Sequence, residues 1–140
     1  MKLNEILLKD WLLLSKIIKN DRMVEHIPYT EAFVLYLIYL NIPHKVSIKH
    51  LIEKSKMLKS QMNRTLNQLK KKELIAIEKQ KKDLRCKEIS LTTKGIEMIQ
   101  LIHSQSLNAS QKIIELIGEE DSKELIRIFE KVIQEQDKLL

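Results

Sequence analysis

The chain has 140 residues, of which 44% are hydrophobic and 31% charged, with a formal charge of +6; this suits one soluble globular domain with its own core and excludes a disordered chain. No apolar run reaches the roughly 18–20 residues that span a bilayer, so no membrane association is expected. Two glycines (Gly95, Gly118) and two prolines (Pro28, Pro43) are too few and too far apart for a Rossmann fingerprint or a phosphate-binding loop, and no cofactor is expected.

The first predicted element runs from Leu3 to Ile18, where Leu3, Ile6, Leu7, Trp11, Leu14, Ile17 and Ile18 recur at helical spacing and Leu8, Leu12 and Leu13 widen the stripe beyond one face. A helix apolar on more than one side needs more than one neighbour. Asn20 and Asp21 interrupt it. A second, almost wholly apolar helix is expected from Thr30, as N-cap after Pro28, to about Leu40, and should be central. Asn41 to Val46 reads as a connection with a short extended pair, after which Ser47 caps a short helix bearing Ile48, Leu51 and Ile52.

A third helical pattern spans 59–72, with Met62, Leu66 and Leu69 on a narrow buried stripe. At 100° per residue, Ser60, Arg64, Asn67 and Lys71 fall on the opposite face. Ile75-Ala-Ile77 and Ile89-Ser-Leu91 alternate as half-buried strands, joined by the charged segment Glu78 to Glu88 in a long-tipped hairpin. Thr92 or Thr93 can cap a long helix ending at Gly118, and Asp121 with Glu124 resembles a capping box opening a last helix. The terminal helices carry more apolar surface than one chain of this size readily buries, so a homodimer built from the chain ends is expected.

The positive charge is concentrated. Residues 56–94 carry twelve basic and four acidic groups, a net of +8, against +2 before and −4 after. Such a stretch suits a polyanion, because each neutralised phosphate releases counterions. The elements supply the geometry: a short helix, a turn, a helix with a polar outer face and a basic hairpin follow the order of a winged helix-turn-helix. Such a helix fits the major groove. Gln61, Asn63, Arg64 and Asn67 would read base edges, while Lys59, Ser60 and Lys71 would hold the backbone. Lys81, Lys82 and Arg85 on the hairpin would lie along the adjacent backbone or in the minor groove. Aromatic residues make up only 4% of the chain, which argues against a binder that stacks single-stranded bases.

The segment DLRCKEISLTTKG, Asp83 to Gly95, resembles the wing signature of the MarR/SlyA family of transcription factors, Asp-x-Arg followed by Leu-Thr-x-x-Gly. SQMNRTLNQLKKKELI, Ser60 to Ile75, is similar to that family's recognition helix, and Thr30 to Leu37 to its second helix. The resemblance implies a mainly α fold with a small β-wing, one domain over 1–140, in which 29–94 form the winged helix-turn-helix, with the recognition helix at about 59–72 and the wing at about 75–91. Residues 1–20 and 95–140 would form the dimerisation helices. It further implies a homodimeric repressor on a pseudo-palindromic operator, with Arg85 reaching the minor groove, Asp83 pairing with a basic neighbour to orient the wing, and release by a small-molecule effector. Glu73 stands where the family's helix usually ends in glycine, so the turn into the wing is expected to differ.

Trp11, Tyr36, Tyr39 and Met98 are candidate effector-pocket residues by helical placement, with plain core packing as the alternative. His26, His44, His50, His103 and Cys86 show no metal-ligand spacing, and no metal site is expected. Cys86 is the single cysteine, so no internal disulfide can form, and its basic surroundings should favour the thiolate and allow a redox switch, with an incidental thiol as the simpler reading. No secretory signal pattern is present, which makes the cytoplasm the default compartment. No nucleophile, acid–base pair or cofactor motif suggests an enzyme. The alternative to a DNA-binding regulator is a winged-helix adaptor that binds another protein.

Overall fold

A computed structural model describes residues 1–20 and 27–139 of the chain. In chain order these form α1 (Leu3–Asn20), α2 (Tyr29–Tyr39), β1 (Val46–Ser47), α3 (Ile48–Ser55), α4 (Lys59–Lys71), β2 (Ile75–Lys79), β3 (Lys87–Leu91), α5 (Thr93–Ile117) and α6 (Glu119–Gln134), with a short 3-10 turn at Gln136–Lys138. Helix α1 runs through Asn20; Asp21 and His26 lie outside the described residues, as do the side chains of Ile17 and Ile18. The chain divides into two compact units, one up to Ser104 and one from Gln105 onward.

The core of the first unit is built around α2, as its apolar composition requires. Val34, Leu35 and Ile38 of this helix are fully buried with Leu51 of α3, Met62, Leu66 and Leu69 of α4, Leu74, Ile89, and Ile99 of α5. The expected stripe on α4 is therefore its buried face. Helix α2 is capped two residues earlier than expected, at Pro28 rather than Thr30, with no side-chain cap; Pro28 supplies the carbonyl that accepts from Ala32 N–H at 3.0 Å. Ser47 does cap α3, its Oγ accepting from His50 N–H at 3.0 Å.

The sheet has the order β1-β3-β2, antiparallel throughout. Ile77 pairs with Ile89 and Val46 pairs with the same Ile89 from the other side, so the middle strand is sealed by apolar residues. The strands extend further than the alternation alone indicated: Glu78 opposes Glu88 and Lys79 opposes Lys87, which shortens the tip to Gln80–Cys86. Like charges face to face destabilise a ladder. Lys45 Nζ offsets the acidic pair by bonding Glu78 Oε2 at 3.0 Å, and Glu78, then Glu88, hold the Lys45 ammonium above its ordinary pKa.

The first third of α5 belongs with this lobe, since Gly95, Ile99 and Ile102 are buried there. The first compact unit runs to Ser104, part-way along α5. In the second unit, α5 ends at Ile117 and Gly118 takes a φ of 89°, the stop expected of it. Helix α6 begins at Glu119, so Asp121 lies inside its first turn and not at the cap. Ser122 Oγ closes that turn instead, donating to the Gly118 carbonyl at 2.6 Å.

Candidate nucleic-acid interface

The outer face of α4 is polar because its apolar residues are used inward. Lys59, Ser60, Gln61, Asn63, Arg64, Asn67 and Lys71 are all exposed, while Met62, Leu66 and Leu69 anchor the helix from below. Thr65, though buried, is satisfied by donating to the Gln61 carbonyl at 2.9 Å. Between α4 and the first turn of α2 lies a groove of about 200 Å³ lined by Thr30, Glu31, Gln61, Arg64, Thr65 and Gln68. Arg64, the central residue of the expected reading face, forms part of its wall.

Further contacts hold the C-terminal end of α4 and fix it to its neighbours. Glu31, only 7% exposed on α2, accepts from Lys72 Nζ at 2.6 Å just beyond the end of α4. Removing the lysine would leave a carboxylate unpaired away from water, which makes this pair worth more than a surface bridge. Glu73 adopts φ 62°, the left-handed conformation for which glycine is preferred. The turn into the wing therefore does not differ from the glycine-type ending: Glu73 N–H donates to the Lys70 carbonyl at 2.9 Å and Leu74 N–H to the Leu69 carbonyl at 3.0 Å, closing a Schellman motif. The left-handed residue costs about 1 kcal/mol without glycine, offset by the two closing bonds and by a third that Thr92 adds to the Glu73 carbonyl.

Thr92 belongs to the Leu-Thr-x-x-Gly segment. Leu91 pairs with Ile75; Thr92 Oγ1 donates to the Glu73 carbonyl at 2.6 Å and accepts from Gly95 N–H at 3.0 Å. Lys94 Nζ donates to the Lys72 carbonyl at 3.1 Å. Gly95 lies against the Leu74 backbone so closely that a Cβ would overlap the carbonyl oxygen. The signature is thus a latch that ties the end of α4 to the start of α5, and Thr92, not Thr93, is the cap. Glu31, Lys72, Thr92, Lys94 and Gly95 are the positioning residues that residue type alone did not single out. The Thr and Gly of the signature were the available signal; nothing in the sequence indicated that Glu31 and Lys72, 41 positions apart, would meet.

At the tip of the wing, Lys81, Lys82, Asp83 and Arg85 are exposed. The Asp83 carboxylate accepts from Arg85 N–H at 3.0 Å, and Cys86 N–H donates to the Asp83 carbonyl at 3.0 Å. Asp83 therefore shapes the tip through the main chain, as Asx turns do, and among the described residues it makes no ion pair with a basic side chain. Its second oxygen receives the Cys86 thiol at 3.6 Å. Asp83, first through its charge, then burial and the hydrogen bond, raises the Cys86 pKa. The expectation that the basic hairpin favours a thiolate is overturned, because the nearest charge is a carboxylate.

Among the described residues, Lys59, Arg64, Lys71, Lys81, Lys82 and Arg85 form no ion pair, so their charge is uncommitted. No group of three or more His, Cys, Asp or Glu side chains that could hold a metal ion occurs among the described residues, and no described helix is long and apolar enough to cross a membrane. Tyr36 and Tyr39 pack on His103 with ring centroids 5.9 and 6.2 Å apart, and Met98 is half-buried against the core. Trp11 is 65% exposed on α1.

Two helices joined by a turn, then a two-stranded wing whose second strand is bridged by a short third, define a winged helix-turn-helix protein. Residues 27–87 match the model of the MarR family. No curated protein matches the sequence. Among solved structures, the MepR–DNA complex of S. aureus is similar with a TM-score of 0.79 at 20% identity, covering 91% of this chain and 96% of that one. PcaV of Streptomyces coelicolor, in complex with its natural ligand, gives 0.76 at 12% identity over 91% and 89%. A mutant MarR of E. coli gives 0.73 at 16% identity over 95% and 97%. At these identities the likeness is one of fold.

Proposed function

We propose that the protein is a transcriptional regulator that binds double-stranded DNA as a homodimer, with α4 in the major groove and the wing tip on the adjacent backbone or in the minor groove. One observation carries this reading: six uncommitted cationic side chains lie on the exposed face of α4 and on the wing, on elements rigidly anchored to one core. Lys59, Ser60 and Lys71 hold phosphates; Gln61, Asn63, Arg64 and Asn67 read base edges; Lys81, Lys82 and Arg85 act from the wing, with Asp83 shaping its tip. The complex of MepR with DNA supports the same use of this fold.

The homodimer is supported by the apolar side chains that a single chain leaves in water, among them Leu7, Leu8, Trp11 and Leu12 on α1 and Ile128, Phe129, Val132 and Ile133 on α6. Two identical lobes would suit a pseudo-palindromic operator, and repression by occlusion of a promoter is the simplest consequence. The ligand complex of PcaV supports a small-molecule effector, for which the Tyr36, Tyr39 and His103 cluster, with Met98, offers aromatic and apolar contacts; Trp11 would report on it by fluorescence.

Duplex binding measured against salt tests the reading. Binding should weaken steeply as salt rises, with Arg64→Ala relaxing preference at a defined base pair and Arg85→Ala lowering affinity across sequences and flattening the salt slope by about one ion. Equal, salt-insensitive binding of cognate and random duplex would overturn it in favour of a protein-binding adaptor.

A further inference from the structure

Helix α2 has five buried residues, and four of them, Ala32, Val34, Leu35 and Ile38, are apolar. The fifth is Glu31, a carboxylate set where the rest of the helix supplies core. As a tie between α2 and the end of α4 an ion pair is not required, because apolar residues of similar volume often hold two elements together as well. Only one oxygen serves that tie: Oε1 accepts from Lys72 Nζ at 2.6 Å, while among the described residues Oε2 accepts no hydrogen bond. Glu31 also lines the groove between α2 and α4, whose other wall includes Gln61, Arg64 and Gln68. These three stand at i−3, i and i+4 about Arg64, so they form one strip of α4 along the groove. Arg64 itself is exposed and forms no ion pair among the described residues. A fixed, half-used carboxylate and an uncommitted guanidinium therefore share one groove at the centre of the base-reading face.

We infer that Glu31 is a positioning residue for base recognition: when Arg64 reads a guanine, Glu31 Oε2 accepts from the edge of the guanidinium that the base leaves free. The inference rests on the DNA-binding reading above. A guanidinium carries five N–H donors in a rigid fork, and guanine O6 and N7 occupy only two of them. A long exposed side chain loses rotamer freedom when it is fixed on a base. A carboxylate already immobilised by the core and by Lys72 lowers that loss and selects the orientation in which the fork meets O6 and N7 together. Lys72 also makes the arrangement compatible with DNA, since its ammonium offsets a carboxylate that would otherwise repel the phosphates. The two oxygens of Glu31 thus have separate tasks, one holding the end of α4 and the other steering the residue at its middle.

The test uses the full chain and a duplex selected from a random-sequence library by binding to it. Each guanine of the selected duplex is replaced in turn by 7-deazaguanine, which lacks the N7 acceptor. Wild type should lose about tenfold in affinity at one guanine in each half-site, within the worth of a bidentate arginine contact, and Arg64→Ala should be indifferent there. Glu31→Gln keeps the size of the side chain and an acceptor for Lys72 but loses the charge, and its penalty at that guanine should fall below about threefold. Lys72→Gln breaks the tie to α4 and leaves the carboxylate in the groove; it should unfold at lower urea yet keep the tenfold penalty. Should Lys72→Gln be too unstable to bind, the double variant decides, since Glu31→Gln should weaken binding no further once Arg64→Ala is present. A full penalty in Glu31→Gln, equally reduced penalties in Glu31→Gln and Lys72→Gln, or additive losses in the double variant overturn the inference while leaving DNA binding intact. A wild type without any such penalty, or an Arg64→Ala that retains it, overturns the reading of guanine by Arg64 and this inference with it. Failure of the library to enrich any sequence overturns the sequence-reading function as a whole.

Discussion

Asp83 and Cys86 show how a single residue can reverse an argument from composition. The wing is rich in lysine and arginine, and a cysteine one position after Arg85 would be a reactive thiolate if net charge decided its chemistry. Proximity decides instead: the Asp83 carboxylate that shapes the tip is also the thiol's hydrogen-bond partner, and it holds the proton on sulfur. A raised thiol pKa means a smaller thiolate fraction at neutral pH. Cys86 should therefore react with iodoacetamide at pH 7 more slowly than an unstructured cysteine peptide, and Asp83→Asn should speed the reaction; equal rates in the two proteins would show that Asp83 has no hold on the thiol. The same residue scale contains Glu73, where the sequence departs from glycine and the backbone does not. Its left-handed conformation is imposed by the bonds that Glu73, Leu74 and Thr92 make around it, which outweigh a local preference of about 1 kcal/mol.

Helices and strands here are held by junctions as much as by faces. The junction between α4, the wing and α5 is the most constrained, because Gly95 allows α5 to start directly against the Leu74 carbonyl. Gly95→Ala would force that backbone apart, and a cost above about 3 kcal/mol is expected although alanine is the better helix former. Urea unfolding of the variant would measure it, and a change below about 1 kcal/mol would mean that α5 can shift without loss. Loosening the junction should also release the end of α4, whose Lys72 carbonyl and Glu73 carbonyl are both bonded across it. The wing is braced from outside by Lys45, which bonds Glu78 and whose charge offsets that of the facing Glu78 and Glu88. Among the described residues no acidic side chain pairs with the facing Lys79 and Lys87, so the stem of the wing carries its positive charge toward the tip.

At the scale of the molecule, the apolar side chains left in water by α1 and α6 set the expectation for assembly. A fully buried leucine or phenylalanine contributes about 1.5–3 kcal/mol, and each is buried twice in a two-fold dimer. Leu12→Glu or Phe129→Glu should therefore weaken self-association by at least tenfold in analytical ultracentrifugation, with the far-ultraviolet dichroism of the folded protein retained. Wild-type protein that sediments as a monomer at tens of micromolar would remove the homodimer from the proposal. In the proposed dimer, assembly and DNA affinity would be coupled, because two lobes joined together would bind two half-sites with an effective concentration that a monomer lacks.

How much of the fold and site was legible in the chain depends on the range of the forces involved. Periodicity located the helices, since the inward faces of α2 and α4 are set by local repetition of Val34, Leu35, Ile38 and of Met62, Leu66, Leu69. Charge counting found the stretch between residues 56 and 94, and the Thr and Gly of the wing signature marked the latch without revealing that it was one. Contacts between distant residues were not legible: the Glu31–Lys72 pair, the Lys45 brace and the approach of Gly95 to Leu74 depend on where α2, the sheet and α5 come to rest. By itself the sequence determined which elements form and where their positive charge lies, because helix and strand preferences and side-chain charge are local properties. Only the tertiary structure decided which of those charges are already neutralised, which carboxylate controls the thiol and how closely α5 meets the Leu74 carbonyl, because those depend on the through-space distances that folding creates.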